Sequence, residues 1–297
     1  MAPSGYSLRE RLESDNLILI CRMSRRRIPA DLLRERSFEG LLASSTTQFP
    51  RNRFYSLLYT AKFSRRFSST KKKHNMADIN FKRSEIDAII FDCDGTLVDS
   101  EPITVQVLVD HVGEFGLKLD YEEALGLFVG RDMTMIVEVL EKRIGKSLPD
   151  DFVEEYRRRQ EIELRRSVQL IPGAIELVTE IEKSGSLAYC VASNAPRRKI
   201  NLNLEVTGLN QFFKEPSIFS AYDIQKWKPD PALFLHAAER IDVTPGRCVV
   251  IEDSVAGIEA GIAARMKTIG YSPSPAKQPT DQVHFVHHLA DLIPIFQ

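Results

Sequence analysis

Several features are scarce in this 297-residue sequence, and each scarcity narrows what the chain does. Only four cysteines occur, Cys21, Cys93, Cys190 and Cys248, and no two sit at a metal-ligand spacing. No thiolate metal site is expected. The last three lie in or beside strand-like apolar runs and read as small core residues in a reducing compartment. No run approaches the roughly 18–20 apolar residues of a spanning helix, so no membrane partner is expected. Net charge is only −1, which gives the whole chain no general argument for nucleic-acid binding. Internal repeats are absent.

What is present is a core and a charge asymmetry. Apolar residues make up 43% of the chain, enough for a sizeable interior. Residues 1–75 hold 16 Lys+Arg against 6 Asp+Glu, while the remainder is acidic. The basic segment 1–75 is Arg- and Ser-rich, as transit peptides are, and Arg65-Arg66-Phe67 before Ser68 resembles a mitochondrial cleavage site. Six acids, Glu10 to Glu39, speak against that reading. The expectation is an organellar, preferably mitochondrial, presequence. The alternatives are a disordered tail, or a start at Met76 and a cytoplasmic protein.

The informative stretch is Ile89-Ile90-Phe91-Asp92-Cys93-Asp94-Gly95-Thr96. A short apolar run reads as a buried strand, and it ends in two carboxylates. Residues i and i+2 of an extended chain project to one side, so Asp92 and Asp94 can address one substrate atom. In open α/β folds, ligands bind at the carboxyl edge where such acids would stand. Residues 101–169 then read as helices. Ile103, Val107, Leu108 and Val112 follow helical spacing, and Asp132 is a natural N-cap for a helix to Ile144. From Ile171 strands and helices alternate, which predicts a doubly wound parallel sheet.

Three more polar clusters fall at strand ends or in loops. Ser193-Asn194 precedes a helix and suits phosphate oxygens. Lys228, in Lys226-Trp227-Lys228-Pro229-Asp230-Pro231, suits a phosphoryl charge. Glu252-Asp253 suits a hard cation such as Mg²⁺. Arg131, in a loop of the helical region, reads equally as a bidentate anion clamp or a surface residue. Arg157-Arg158-Arg159 reads as a solvated face, and His284, His287 and His288 as surface residues of a polar tail.

In type and order these four clusters resemble the motifs of the haloacid dehalogenase superfamily, over about residues 83–275. The resemblance implies a Rossmann-like core, residues 83–100 and 170–297, with a helical cap, 101–169, inserted after the first strand. It implies Asp92 as nucleophile and Asp94 as acid and base. Thr96, Ser193, Asn194 and Lys228 would bind phosphate. Asp92, Asp94 (through its carbonyl), Glu252 and Asp253 would surround Mg²⁺. An acid at position 94 favours phosphoryl transfer over dehalogenation or phosphonate cleavage. The run from Tyr222 to Ala232, with Phe91 to Asp94, resembles 6-phosphogluconate phosphatases and β-phosphoglucomutase-like phosphatases. Trp227 departs from the usual Gly and is expected to anchor its loop, and Arg265 departs from the Gly of a common turn. The expected function is a monomeric, Mg²⁺-dependent phosphatase of small phosphorylated metabolites, sugar or sugar-acid phosphates. A phosphomutase, with Arg131 clamping a second phosphate, and a catalytically silent binding protein are the alternatives.

Overall fold

The computed structural model describes residues 81–128, 131–274 and 283–297. The basic segment 1–75 lies outside the described residues. The central strand is β1, Ala88–Phe91, and none of its four side chains reaches solvent. It pairs in parallel with β4 (Ala188–Ser193) on one side and β6 (Cys248–Glu252) on the other. Outside these lie β5 (Ile218–Ser220), β7 (Lys267–Tyr271) and β8 (His284–Val286), giving the order β5-β4-β1-β6-β7-β8, all parallel.

Alternation along β1 builds two apolar layers, because successive side chains leave opposite faces. Ile89 and Phe91 pack with Leu177, Val178 and Ile181 of α5 (Ala174–Ser184) and Ile200 and Leu204 of α6 (Arg197–Thr207). Ala88 and Ile90 pack with Leu233, Phe234 and Ala237 of α8 (Ala232–Arg240) and Ala260 of α9 (Val255–Ala263). The short α7 (Ala221–Ile224) follows β5. Cys93, Cys190 and Cys248 are buried thiols in these layers.

Between β1 and α5 the chain departs into four helices with their own core. These are α1 (Glu101–Gly113), α2 (Tyr121–Phe128), α3 (Met133–Ile144) and α4 (Phe152–Ser167). Leu108, Val112, Ile136, Leu140, Phe152 and Tyr156 are buried among them. Asp132 caps α3 by accepting the Met135 N–H at 2.9 Å. The way out and the way back form a stem, in which β2 (Val98–Asp99) pairs antiparallel with β3 (Gln169–Leu170). Helix α4 lies against α6 of the core, and Arg165–Glu205 (3.6 Å) and Arg198–Glu161 pair across that seam.

The structure differs from the sequence expectations at the C-terminal tail. The tail is not polar surface. Phe285 and Val286 are buried in β8, and Leu289, Leu292 and Phe296, the last from α10 (Ile293–Phe296), close one apolar layer. His287 is half-buried, with Nδ1 2.7 Å from the Ser272 carbonyl, and His288 caps the Ala290 N–H. The arginine run is a solvated face as expected: Arg157 and Arg158 are exposed and Arg159 is half-buried, Arg158 and Arg159 pair with Glu155, and Arg157 also lies over the Tyr222 ring at 5.7 Å. Arg265 takes φ +58, so the tight turn survives without its glycine.

Candidate active site

Because the strands are parallel, β1, β4 and β6 deliver Asp92, Ser193 and Glu252 to one edge of the sheet. Lys228 arrives there on the loop after α7. Asn194 fixes that loop: its Oδ1 accepts the Lys228 N–H at 2.9 Å and its Nδ2 donates to the Lys228 carbonyl at 3.4 Å. Lys228 is only 3% exposed, and its Nζ bridges Asp92 Oδ1 (2.5 Å) and Glu252 Oε2 (2.8 Å). The ammonium also lies 4.7 Å from the centre of the Phe234 ring. Glu252 Oε1 accepts from Asp253 N, Ser254 N and Ser254 Oγ at 2.9–3.1 Å, so one side chain locks Lys228 and the start of α9. Gly257 makes room for it, since a Cβ there would stand 1.9 Å from Glu252 Oε2.

Asp92, Glu252 and Asp253 each offer an oxygen within 4.8 Å of the others. Among the described residues, one buried ammonium, that of Lys228, faces this group. Burial first, then the Glu252 charge, pushes Asp92 up to about 7. Burial, with Glu252 and Asp92 beside it, raises Asp253 well above the carboxylate range. Three hard carboxylates against one Lys form a donor set short of positive charge, and a divalent cation fits it. Gly95, at φ +88, lets Asp253 approach, because a Cβ would lie 2.3 Å from Asp253 Oδ2.

The remaining expected residues divide. Thr96 is fully buried and donates to Asp253 Oδ1 at 3.0 Å, beside the metal-type cluster. Ser193 is buried at the head of the loop into α6, where its Oγ accepts the Ala195 N–H at 3.1 Å. Arg131 is not brought to this group. Its guanidinium is exposed and donates to the Gly126 and Leu127 carbonyls at the end of α2. Trp227 does anchor its loop, packing beside Ile224 on the sheet and edge-on to Tyr222.

Asp94 is on the same edge but has partners of its own. Ser100 Oγ and Asn203 Nδ2 donate to its Oδ1, and Lys199 Nζ meets its Oδ2. Sequence reasoning missed all three. Ser100 stands only six residues after Asp94 and was within reach. Lys199 and Asn203 stand about a hundred positions downstream on α6, and only folding brings them to Asp94.

The comparisons agree with this geometry. Residues 89–271 match the haloacid dehalogenase-like hydrolase family. The 6-phosphogluconate phosphatase of Escherichia coli K12 is 37% identical over 197 residues, 66% of this chain and 87% of that protein. Hexitol phosphatase B of the same organism is 31% identical over 196 residues, 65% of this chain and 86% of its own length. A haloacid dehalogenase family hydrolase from Deinococcus radiodurans, crystallised with bound phosphate and sodium, superposes with a TM-score of 0.57. It is 31% identical, and the match covers 70% of this chain and 93% of that one. The chain belongs to the haloacid dehalogenase-like hydrolases.

Proposed function

We propose that this chain is a Mg²⁺-dependent phosphatase of small phosphorylated metabolites, sugar and sugar-acid phosphates, with 6-phosphogluconate the first candidate. The observation that carries this reading is the buried Lys228 bridge between Asp92 and Glu252, with Asp94 held apart on separate donors. Such a division suits a two-step transfer. Asp92 Oδ attacks phosphorus, and the P–O ester bond breaks as Asp94 gives its proton to the leaving oxygen. Water then attacks the aspartyl-phosphate while Asp94 takes the proton back, and phosphate departs. Lys228 keeps Asp92 aimed and offsets charge on the transferring group. Asp92, Asp253 and the Asp94 carbonyl would hold Mg²⁺, with Glu252 fixing the site from behind. The bound cation would relieve the repulsion between a carboxylate and a phosphate dianion.

The names of the relatives, two phosphatases of small metabolites, support the substrate class. A mutase would need a second phosphate clamp in the cap. Arg131, the residue offered for it, spends its guanidinium on α2 carbonyls. The test is phosphate release from a panel of phosphometabolites with and without Mg²⁺. The expected result is Mg²⁺-dependent release, strongest on sugar-acid or sugar phosphates. Conversion of β-glucose 1-phosphate to glucose 6-phosphate without free phosphate would contradict it, as would silence on the whole panel.

A further inference from the structure

Asp94 sits in a cage of three donors, two of which lie outside all four sequence motifs. Asn203 Nδ2 donates to Asp94 Oδ1 at 2.9 Å, and Lys199 Nζ lies 2.9 Å from Asp94 Oδ2. Ser100 Oγ adds a second donor on Oδ1. The two residues are four apart on α6, so one helix face presents both. Their surroundings make an incidental surface pairing a poor description. Asn203 is completely buried, and its amide Oδ1 has no hydrogen-bond partner among the described residues. A buried amide with one unpaired end is destabilising where it stands, and an apolar side chain of that size would pack without the penalty. What the amide provides is its bond to Asp94. Lys199 is 14% exposed, and Asp94 is its only ion-pair partner among the described residues.

We propose that Lys199 and Asn203 are positioning residues that fix the Asp94 carboxylate for proton transfer; this rests on the phosphatase reading above. With both oxygens gripped, the Asp94 carboxylate is held apart from Lys228, which serves Asp92 and Glu252. Each acid of the Asp-x-Asp pair then has its own ammonium, Lys228 for Asp92 and Lys199 for Asp94. The same helix packs against cap helix α4, so the element that touches the cap also holds the proton-transfer group.

The test uses the full chain with Mg²⁺, on an alkyl phosphate (glucose 6-phosphate) and an aryl phosphate (p-nitrophenyl phosphate). Lys199→Met should lower kcat on the alkyl ester by about 10- to 100-fold, part of the ~10²–10⁴ that general acid–base catalysis supplies. KM should hold, and the loss on the aryl ester, whose leaving group needs little protonation, should be several-fold smaller. Added to Asp94→Asn, the same change should cost nothing further, because both act through one group. Lys199→Arg should restore part of the alkyl rate. Asn203→Leu keeps the volume and fills the test if Lys199→Met does not fold; it must show the same leaving-group dependence. Equal losses on both esters, additive losses with Asp94→Asn, or a raised KM alone would overturn the proposal while leaving the phosphatase reading intact. No phosphate release by the wild-type chain from any ester would overturn both, and is read before any variant is compared.

Discussion

At Asp92 two demands meet. The carboxylate must be buried to be shielded from water, yet burial beside Glu252 raises its pKa from 3.8 to about 7. The consequence has a definite sign. Without metal, the folded protein keeps the Asp92 proton up to about pH 7, whereas the unfolded chain releases it near 3.8. The native state therefore binds more protons across that window, and stability falls as pH rises through it. A cation requires the ionised carboxylates, so its stabilising effect grows over the same range. The gain in Tm from millimolar Mg²⁺ should be larger at pH 8 than at pH 5. Equal gains at both would show that these carboxylates do not hold the ion.

At the scale of elements, the last strand changes the picture most. Phe285 is 4% exposed in β8 and packs so closely on β7 that a Cβ at Gly270 would lie 2.2 Å from its ring. Phe285→Ala should cost about 3–5 kcal/mol, as buried aromatic deletions do. Urea unfolding measures it, and a change below about 1 kcal/mol, the range of ordinary surface substitutions or a little above, would return the segment to the surface. That strand was not legible because His284, His287 and His288 around Phe285-Val286 read as polar, and because its partner β7 is parallel and remote. The central elements were legible for the opposite reason. Ala88–Phe91 and Cys248–Ile251 are apolar without interruption, as strands buried on both faces must be. The site was legible where a motif is contiguous, as with Asp92 and Asp94 or Glu252 and Asp253. It was not legible where a side chain reaches across the fold. Lys199 and Asn203 look like ordinary helix positions until α6 lies beside the β1 loop. Arg131 shows the converse, a loop arginine of suitable chemistry whose partners turn out to be the neighbouring helix end.

For the whole molecule, charge separates a basic first quarter from an acidic remainder. We propose that residues 1–75 address the protein to an organelle, mitochondria by preference, and are removed near Ser68. N-terminal sequencing of native protein should find a start just after Phe67; an intact Met1, or a start at Met76, would defeat this. No described helix is long and apolar enough to cross a membrane. The residues proposed for catalysis and metal binding all lie between Asp92 and Asp253, inside the segment that matches the hydrolase family. In the proposed chemistry Asp92 carries the phosphoryl group and Asp94 moves the proton. The direct measurement is rapid-mixing of Asp94→Asn with a labelled aryl phosphate. The first step needs little proton transfer to a good leaving group, whereas hydrolysis of the acyl phosphate lacks its base. A burst of phenol should precede slow turnover, with acid-stable label on Asp92 that is absent in Asp92→Asn. No burst and no label, with equal losses on alkyl and aryl esters, would contradict the assignment of both acids.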